Sequence, residues 1–156
     1  VYRRAQGNIA LVAHDYPVLF LGFHRWQFKW QVQLDNGRRG VCYADKRNRA
    51  ELQRWYHITA TFDGWAARLY VDGEEICNDW TFGGAIALTD APFTLGGYLD
   101  EQNAVIDAMD GVVDDVRIYD RALSPREIHA LWSEGVRDTI DVTIPPPPAE
   151  MSRVTM

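Results

Sequence analysis

The sequence predicts an all-β fold, two antiparallel sheets packed face to face, with one short helix near the C-terminus. Three observations carry this. Between Trp26 and Leu34, Trp26, Phe28, Trp30, Val32 and Leu34 alternate with Gln27, Lys29, Gln31 and Gln33, the period of a strand with one face in a core. Turn signals Asp35-Asn36-Gly37, Asp63-Gly64 and Asp72-Gly73 break the apolar runs at short intervals, as hairpins require. The clearest helix start comes late: Ser124 as N-cap, Pro125 in the first turn and Glu127 three residues on form a capping box, and Ile128, Leu131 and Trp132 then recur on one stripe.

The elements follow in order. Asn8–Ala13 and Val18–Phe23 are continuous apolar runs separated by Pro17, as expected of short buried strands or one strand broken by a turn. After the alternating strand, Asn36-Gly37 suits a type I′ turn, and Arg39–Ala44 returns. Asp45–Arg54 is a charged loop, Trp55–Phe62 the next strand and Ala67–Val71 its return. These four strands are expected to form one continuous antiparallel meander. Val113, Val116, Ile118 and Tyr119 give a β-branched and aromatic run, opened by Gly111 and stopped at Asp120-Arg121, that reads as a closing strand. Gly135 is the expected helix stop. Ile140, Val142 and Ile144 alternate like one more strand, proposed to serve as an edge, before Pro145–Pro148 imposes extended geometry. The domain is accordingly drawn over residues 1–144, with a Pro-rich tail over 145–156.

The segment GVVDDVRIYDRALSPREIHALW, Gly111–Trp132, resembles the closing strand, turn and helix of the laminin-G-like, concanavalin A-like jelly-roll family. WYHITATFDGWAARLYVDG, Trp55–Gly73, resembles that family's hairpin, and FTLGG at Phe93–Gly97 its linking segment. The resemblance implies a two-sheet jelly roll that binds glycans or proteins outside the cytoplasm. The family's opening strands are not found here, so N-terminal strands are either missing or divergent.

The 156 residues make one domain's worth of chain, 47% hydrophobic and 24% charged, ordinary for a folded domain. A net charge of −6 argues against nucleic acid, whose phosphates need a clustered basic surface. Arg3-Arg4, Arg38-Arg39 and Lys46-Arg47 read as solvated loop charges. No run is long enough to insert in a membrane. With the family resemblance, the chain is expected to be a piece of a larger exported protein, extracellular, on the cell surface or periplasmic. Cys42 and Cys77 are either bridged or two buried small hydrophobes.

Alternation picks out candidate ligand-binding side chains. If Ile58, Ala60 and Phe62 face the core, then His57, Thr59 and Thr61 face away; if Leu69 and Val71 face in, Arg68 and Tyr70 face out. With Lys29, Gln31 and Gln33 they are expected to build one polar shelf suited to sugar hydroxyls. Trp65 and Trp80 sit among turn residues, where an indole is free to stack on a sugar ring. Asp100, Glu101 and Asp107 lie in an acidic-amide loop similar to the calcium loop of pentraxins, so calcium is a possible cofactor. One of the adjacent Asp114 and Asp115 is expected to point inward and to need a partner. No strand carries the spaced carboxylates of a glucanase, and the sequence reads as non-catalytic. The expected partner is a glycan or an extracellular protein, as in adhesion; a structural subunit of an assembly and a glycan-active enzyme are the alternatives.

Overall fold

The computed structural model describes residues 1–45, 47–81 and 83–138. Its strands are β1 (Tyr2–Arg3), β2 (Ile9–His14), β3 (Leu19–His24), β4 (Gln27–Gln33), β5 (Arg39–Tyr43), β6 (Ile58–Phe62), β7 (Ala66–Val71), β8 (Glu74–Trp80), β9 (Phe93–Leu95), β10 (Tyr98–Leu99), β11 (Val105–Ile106) and β12 (Gly111–Val112), followed by the helix α1 (Pro125–Asp138). A five-stranded antiparallel sheet has the order β5-β4-β3-β2-β9 and a three-stranded one the order β6-β7-β8; β1 pairs with β12 and β10 with β11.

The core lies between the two larger sheets. Ile9 and Leu11 of β2, Phe23 of β3, Phe28, Trp30 and Val32 of β4 and Cys42 of β5 meet Ala67 and Leu69 of β7, with Ile58, Ala60 and Phe62 of β6 packed half-buried against them. The alternation in β4 therefore works as the sequence demands, apolar side chains inward. Cys42 and Cys77 form a disulfide that ties β5 to β8 across the sandwich. Helix α1 opens with the expected capping box: the Ser124 N–H donates to Glu127 Oε2 (2.8 Å) and the Glu127 N–H to Ser124 Oγ (3.3 Å). Its Ile128, with Leu123, packs on Tyr70 on the outer side of β7.

Several expectations are corrected. The four-strand meander is two hairpins in different sheets: β4 pairs with β5, and β6 with β7. The segment between them, with Ala50 and Tyr56 buried, carries the chain from one sheet to the other. Alternation reports which side chains enter a core, and both sheets share that core. The closing strand ends at Val112; among the described residues 113–119 pairs with no strand. Asp115 takes a positive φ of 49° and pairs with Arg117 (2.8 Å). Asp114 and Asp115 are both exposed, so neither needs a buried partner, and Val116 and Ile118 are exposed as well.

At the Asp35–Gly37 turn, Gly37 has a positive φ (78°) and Asn36 does not. The Asn36 amide instead donates to Gly83 O (2.8 Å), while its carbonyl accepts from the Arg38 N–H (3.0 Å). Gly135 lies inside α1 rather than ending it; a glycine lacking the left-handed conformation weakens a helix by about 1 kcal/mol without stopping it. Arg3 is fully buried, its guanidinium 4.4 Å above the Phe23 ring and donating to Arg25 O and Ala50 O. Of the other basic pairs, Arg38 donates to Thr81 O (3.3 Å) and Arg47 is a solvated loop charge. The expected strand over 140–144 and the Pro-rich tail lie outside the described residues.

Candidate functional site

The sheet split divides the expected polar shelf. Lys29 and Gln31 belong to β4 in the five-stranded sheet, whereas Arg68 and Tyr70 belong to β7, with His57 just before β6, in the three-stranded one. The two groups are carried on opposite outer faces of the sandwich. Each face can be assembled from its register.

On the three-stranded sheet, Arg68 is opposite Asn78 and Ala66 opposite Trp80, so Arg68, Asn78 and Trp80 share one face with Tyr70. The start of α1 closes over this face and leaves an open groove of about 490 Å³ lined by Asp63, Arg68, Tyr70, Glu75, Arg121 and Glu127 among others. Tyr70 is buried under the helix rather than free. Every charge in the groove is answered within it: Arg68 pairs with Asp63 (2.6 Å), Arg121 with Glu127 (2.6 Å), and the Tyr70 hydroxyl donates to Glu75 (2.9 Å). Burial first, then Glu75, pushes the Tyr70 phenol up to about 12. Trp80, at the end of β8, is exposed as expected but holds the Arg68 guanidinium over its ring at 5.6 Å. Trp65 is equally exposed and lies near Gly83. His57 is half-buried; burial leads in lowering its imidazole.

The outer face of the five-stranded sheet is built differently. Lys29 is opposite Gly22 on one side and Tyr43 on the other; Gln31 is opposite Phe20 and Val41, and Gln33 opposite Arg39. The floor is therefore Lys29, Gln31 and Phe20. Ala10, Ala13 and Phe20 form a small apolar cluster beneath Tyr98 of β10, and the Ala10 N–H donates to Asp107 O (3.0 Å). The β10–β11 hairpin thus roofs one end. Tyr16, stacked on Tyr98 (4.7 Å between centroids) and edge-on to Phe20, makes one wall. Tyr43, with His24 edge-on at 6.0 Å, makes the other. Tyr16 and Tyr43 are about two-fifths exposed, at 41% and 43%.

Lys29 stands at the centre, only 6% exposed. Its ammonium lies 4.8 Å from the Phe20 centroid, 5.5 Å from Tyr16 and 5.7 Å from Tyr43. Burial chiefly, and then Arg39, lowers its pKa, while Asp107 opposes them. Burial raises the Asp107 carboxyl in turn, against the pull of Lys29 and His24. The Gln31 amide nitrogen donates to Pro17 O (2.6 Å). The sequence pointed to Lys29 and Gln31 but not to Tyr16 or Tyr43. Tyr43 could have been found, since it follows Val41 at the period of β5 on the side of Lys29. Tyr16 lies in a turn and carries no periodic signal.

The acidic loop folds on itself: Asp100 Oδ1 accepts from the Gln102 N–H (2.9 Å) and the Ala104 N–H (2.8 Å). Among the described residues no three His, Cys, Asp or Glu side chains gather in a metal-holding group. Nor does any helix among them have the length and apolarity to cross a membrane.

Comparison with known proteins adds the following. The laminin-G model described as the concanavalin A-like lectin/glucanases superfamily matches residues 3–129. Among solved structures, a protein from Bacteroides ovatus assigned as a carbohydrate binding protein is similar with a TM-score of 0.66 and 17% identity over 82% of this chain. The binding domain of Paraclostridial Mosquitocidal Protein 1 is similar with a TM-score of 0.61 and 19% identity over 85% of this chain. The aligned part spans only 37% and 35% of those two chains. A search of curated proteins finds no match.

Proposed function

Starting from the premise that this chain belongs to the concanavalin A-like lectin/glucanase superfamily, we propose that it is a non-catalytic binding module of a larger exported protein, recognising carbohydrate on the outer face of the five-stranded sheet. The observation that carries this is the pairing of two part-exposed tyrosine walls, Tyr16 and Tyr43, with a polar floor at Lys29 and Gln31. A sugar ring offers an apolar C–H face to an aromatic and hydroxyls to a polar floor, and this face supplies both within one ring's reach. The groove beneath α1 supplies polar groups too, but they are already partnered with one another.

The remaining parts of the proposal rest on further observations. Among the described residues Asp107 is the one carboxylate acting on Lys29, whereas glycoside hydrolysis needs two across the bond. The disulfide is at home in an exported protein. The two similar structures, one assigned as a carbohydrate binding protein and one a binding domain, agree with a binding role.

A glycan array, followed by calorimetry on the sugars retained, tests the reading. Stacking on one ring removes roughly 50–100 Å² of apolar surface, worth about 1–2 kcal/mol. Tyr43→Ala should therefore weaken binding about five- to thirtyfold, while Trp80→Ala leaves it unchanged. The opposite pattern would move the site to the three-stranded sheet.

A second reading, contact with a protein, is favoured by one observation. Val116 and Ile118 are exposed in a segment whose Asp115 and Arg117 act on His57, beside β6, the edge of its sheet. Unpaired edges with apolar side chains are sites of strand addition.

A further inference from the structure

We infer that the carbohydrate taken by the Lys29 face is an acidic one, a uronic-acid residue whose ring carboxylate meets the Lys29 ammonium. This deepens the carbohydrate reading and rests on it. The ammonium has three N–H donors, and among the described residues no hydrogen bond or ion pair within the chain reaches it. The three ring faces turned to it offer π-electron density and no negative charge. A cation held in this way is partly desolvated without being neutralised, so it has more to gain from an anion than an exposed surface lysine has.

The surroundings favour an anion over a neutral ligand. Arg39 lies at the next position along the same face beyond Gln31, opposite Gln33, and adds a second positive charge. The acid that acts on Lys29, Asp107, forms no ion pair with it, and its own carboxyl is held towards the protonated form by burial. A carboxylate on a sugar ring answers the whole arrangement: its oxygens accept from Lys29, its ring face lies on Tyr16 or Tyr43, and a hydroxyl donates to Gln31 Oε1, which is left over when the amide nitrogen donates to Pro17 O. A free inorganic anion would satisfy the lysine and leave both tyrosine walls unused.

The test compares galacturonate, glucuronate and mannuronate oligosaccharides with their methyl esters, which keep ring, linkage and configuration but lose the charge. For at least one configuration the acid should bind about tenfold or more tightly than the ester, the factor separating a charge-assisted hydrogen bond from a neutral one. That preference should shrink as salt is raised, vanish in Lys29→Met, persist in Lys29→Arg, and grow in Asp107→Asn. If Lys29→Met fails to fold, the acid-to-ester ratio of the unaltered protein and its salt dependence decide alone. Equal binding of acid and ester in every configuration overturns the inference and leaves carbohydrate recognition standing. Binding of no sugar in either form overturns both.

Discussion

The outer faces of the two sheets carry similar side chains and differ in whether those side chains are already satisfied. Beneath α1, Arg68, Asp63, Arg121, Glu127, Tyr70 and Glu75 pair off among themselves. On the five-stranded sheet, Lys29 is caged by rings and pairs with no anion among the described residues. A groove whose charges neutralise one another has little to offer a ligand, because every new contact must first break an old one. A face with an unanswered charge beside part-exposed aromatics binds at smaller expense. Concavity alone would have chosen the groove; the accounting of partners chooses the other face.

The same contrast runs through stability. The sheets are tied by the Cys42–Cys77 disulfide across 35 residues of sequence. Replacing both cysteines by alanine should cost about 4 kcal/mol by loop-closure entropy, among the largest effects expected, read from chemical denaturation. An unchanged midpoint would mean that the sheets hold together without it.

Next comes a pair of phenylalanines. Phe23 in the five-stranded sheet is fully buried, and Phe62 at the edge of the three-stranded sheet is half-buried. Phe23→Ala should destabilise by about 3–5 kcal/mol and Phe62→Ala by about 2. Equal losses would show that β6 is as well covered in solution as the centre of the other sheet.

A smaller effect concerns the α1 cap. Arg121 first, and then the Ser124 backbone N–H and hydroxyl, hold the Glu127 carboxyl down at about 2 from 4.5. A depressed carboxylate stabilises above its unfolded value, and that contribution is lost as pH falls through the folded one. Glu127→Gln should therefore lower the melting temperature slightly at neutral pH. The gap to the parent protein should close between about pH 4.5 and about pH 2. A gap that persists at lower pH would assign the effect to the shape of the cap and not to its charge.

Calcium is the smallest expected effect. With no three ligating side chains gathered among the described residues, millimolar calcium should leave the melting temperature where magnesium leaves it. A rise specific to calcium would instead point to a site in the acidic loop, by mass action.

Much of the fold is legible in the sequence because it depends on local physics. The inward set of β4, Phe28, Trp30 and Val32, follows from a period of two. The α1 start follows from Ser124 and Glu127, three residues apart, satisfying each other's backbone. The outward placement of Arg68, Tyr70, Lys29 and Gln31 follows from the same alternation. The expectation that one of Asp114 and Asp115 points inward fails because the backbone leaves its period after Val112, where Asp115 has a positive φ.

What the sequence by itself determined is therefore the strands β2 to β7 and the start of α1, their inward faces, and the family to which the hairpin and closing segment belong. Only the tertiary structure decided which sheet each strand joins, and with it which outward residues are neighbours. Lys29 and Arg68 read alike along the chain, yet one meets Tyr16, Phe20 and Tyr43 while the other meets Asp63. The burial of Arg3 over Phe23 and of Tyr70 under Ile128 was likewise settled by segments distant in sequence. The reason is physical: periodicity is a property of the backbone's own geometry, whereas pairing between strands and the solvation of a charge depend on atoms brought close only when the chain has closed on itself.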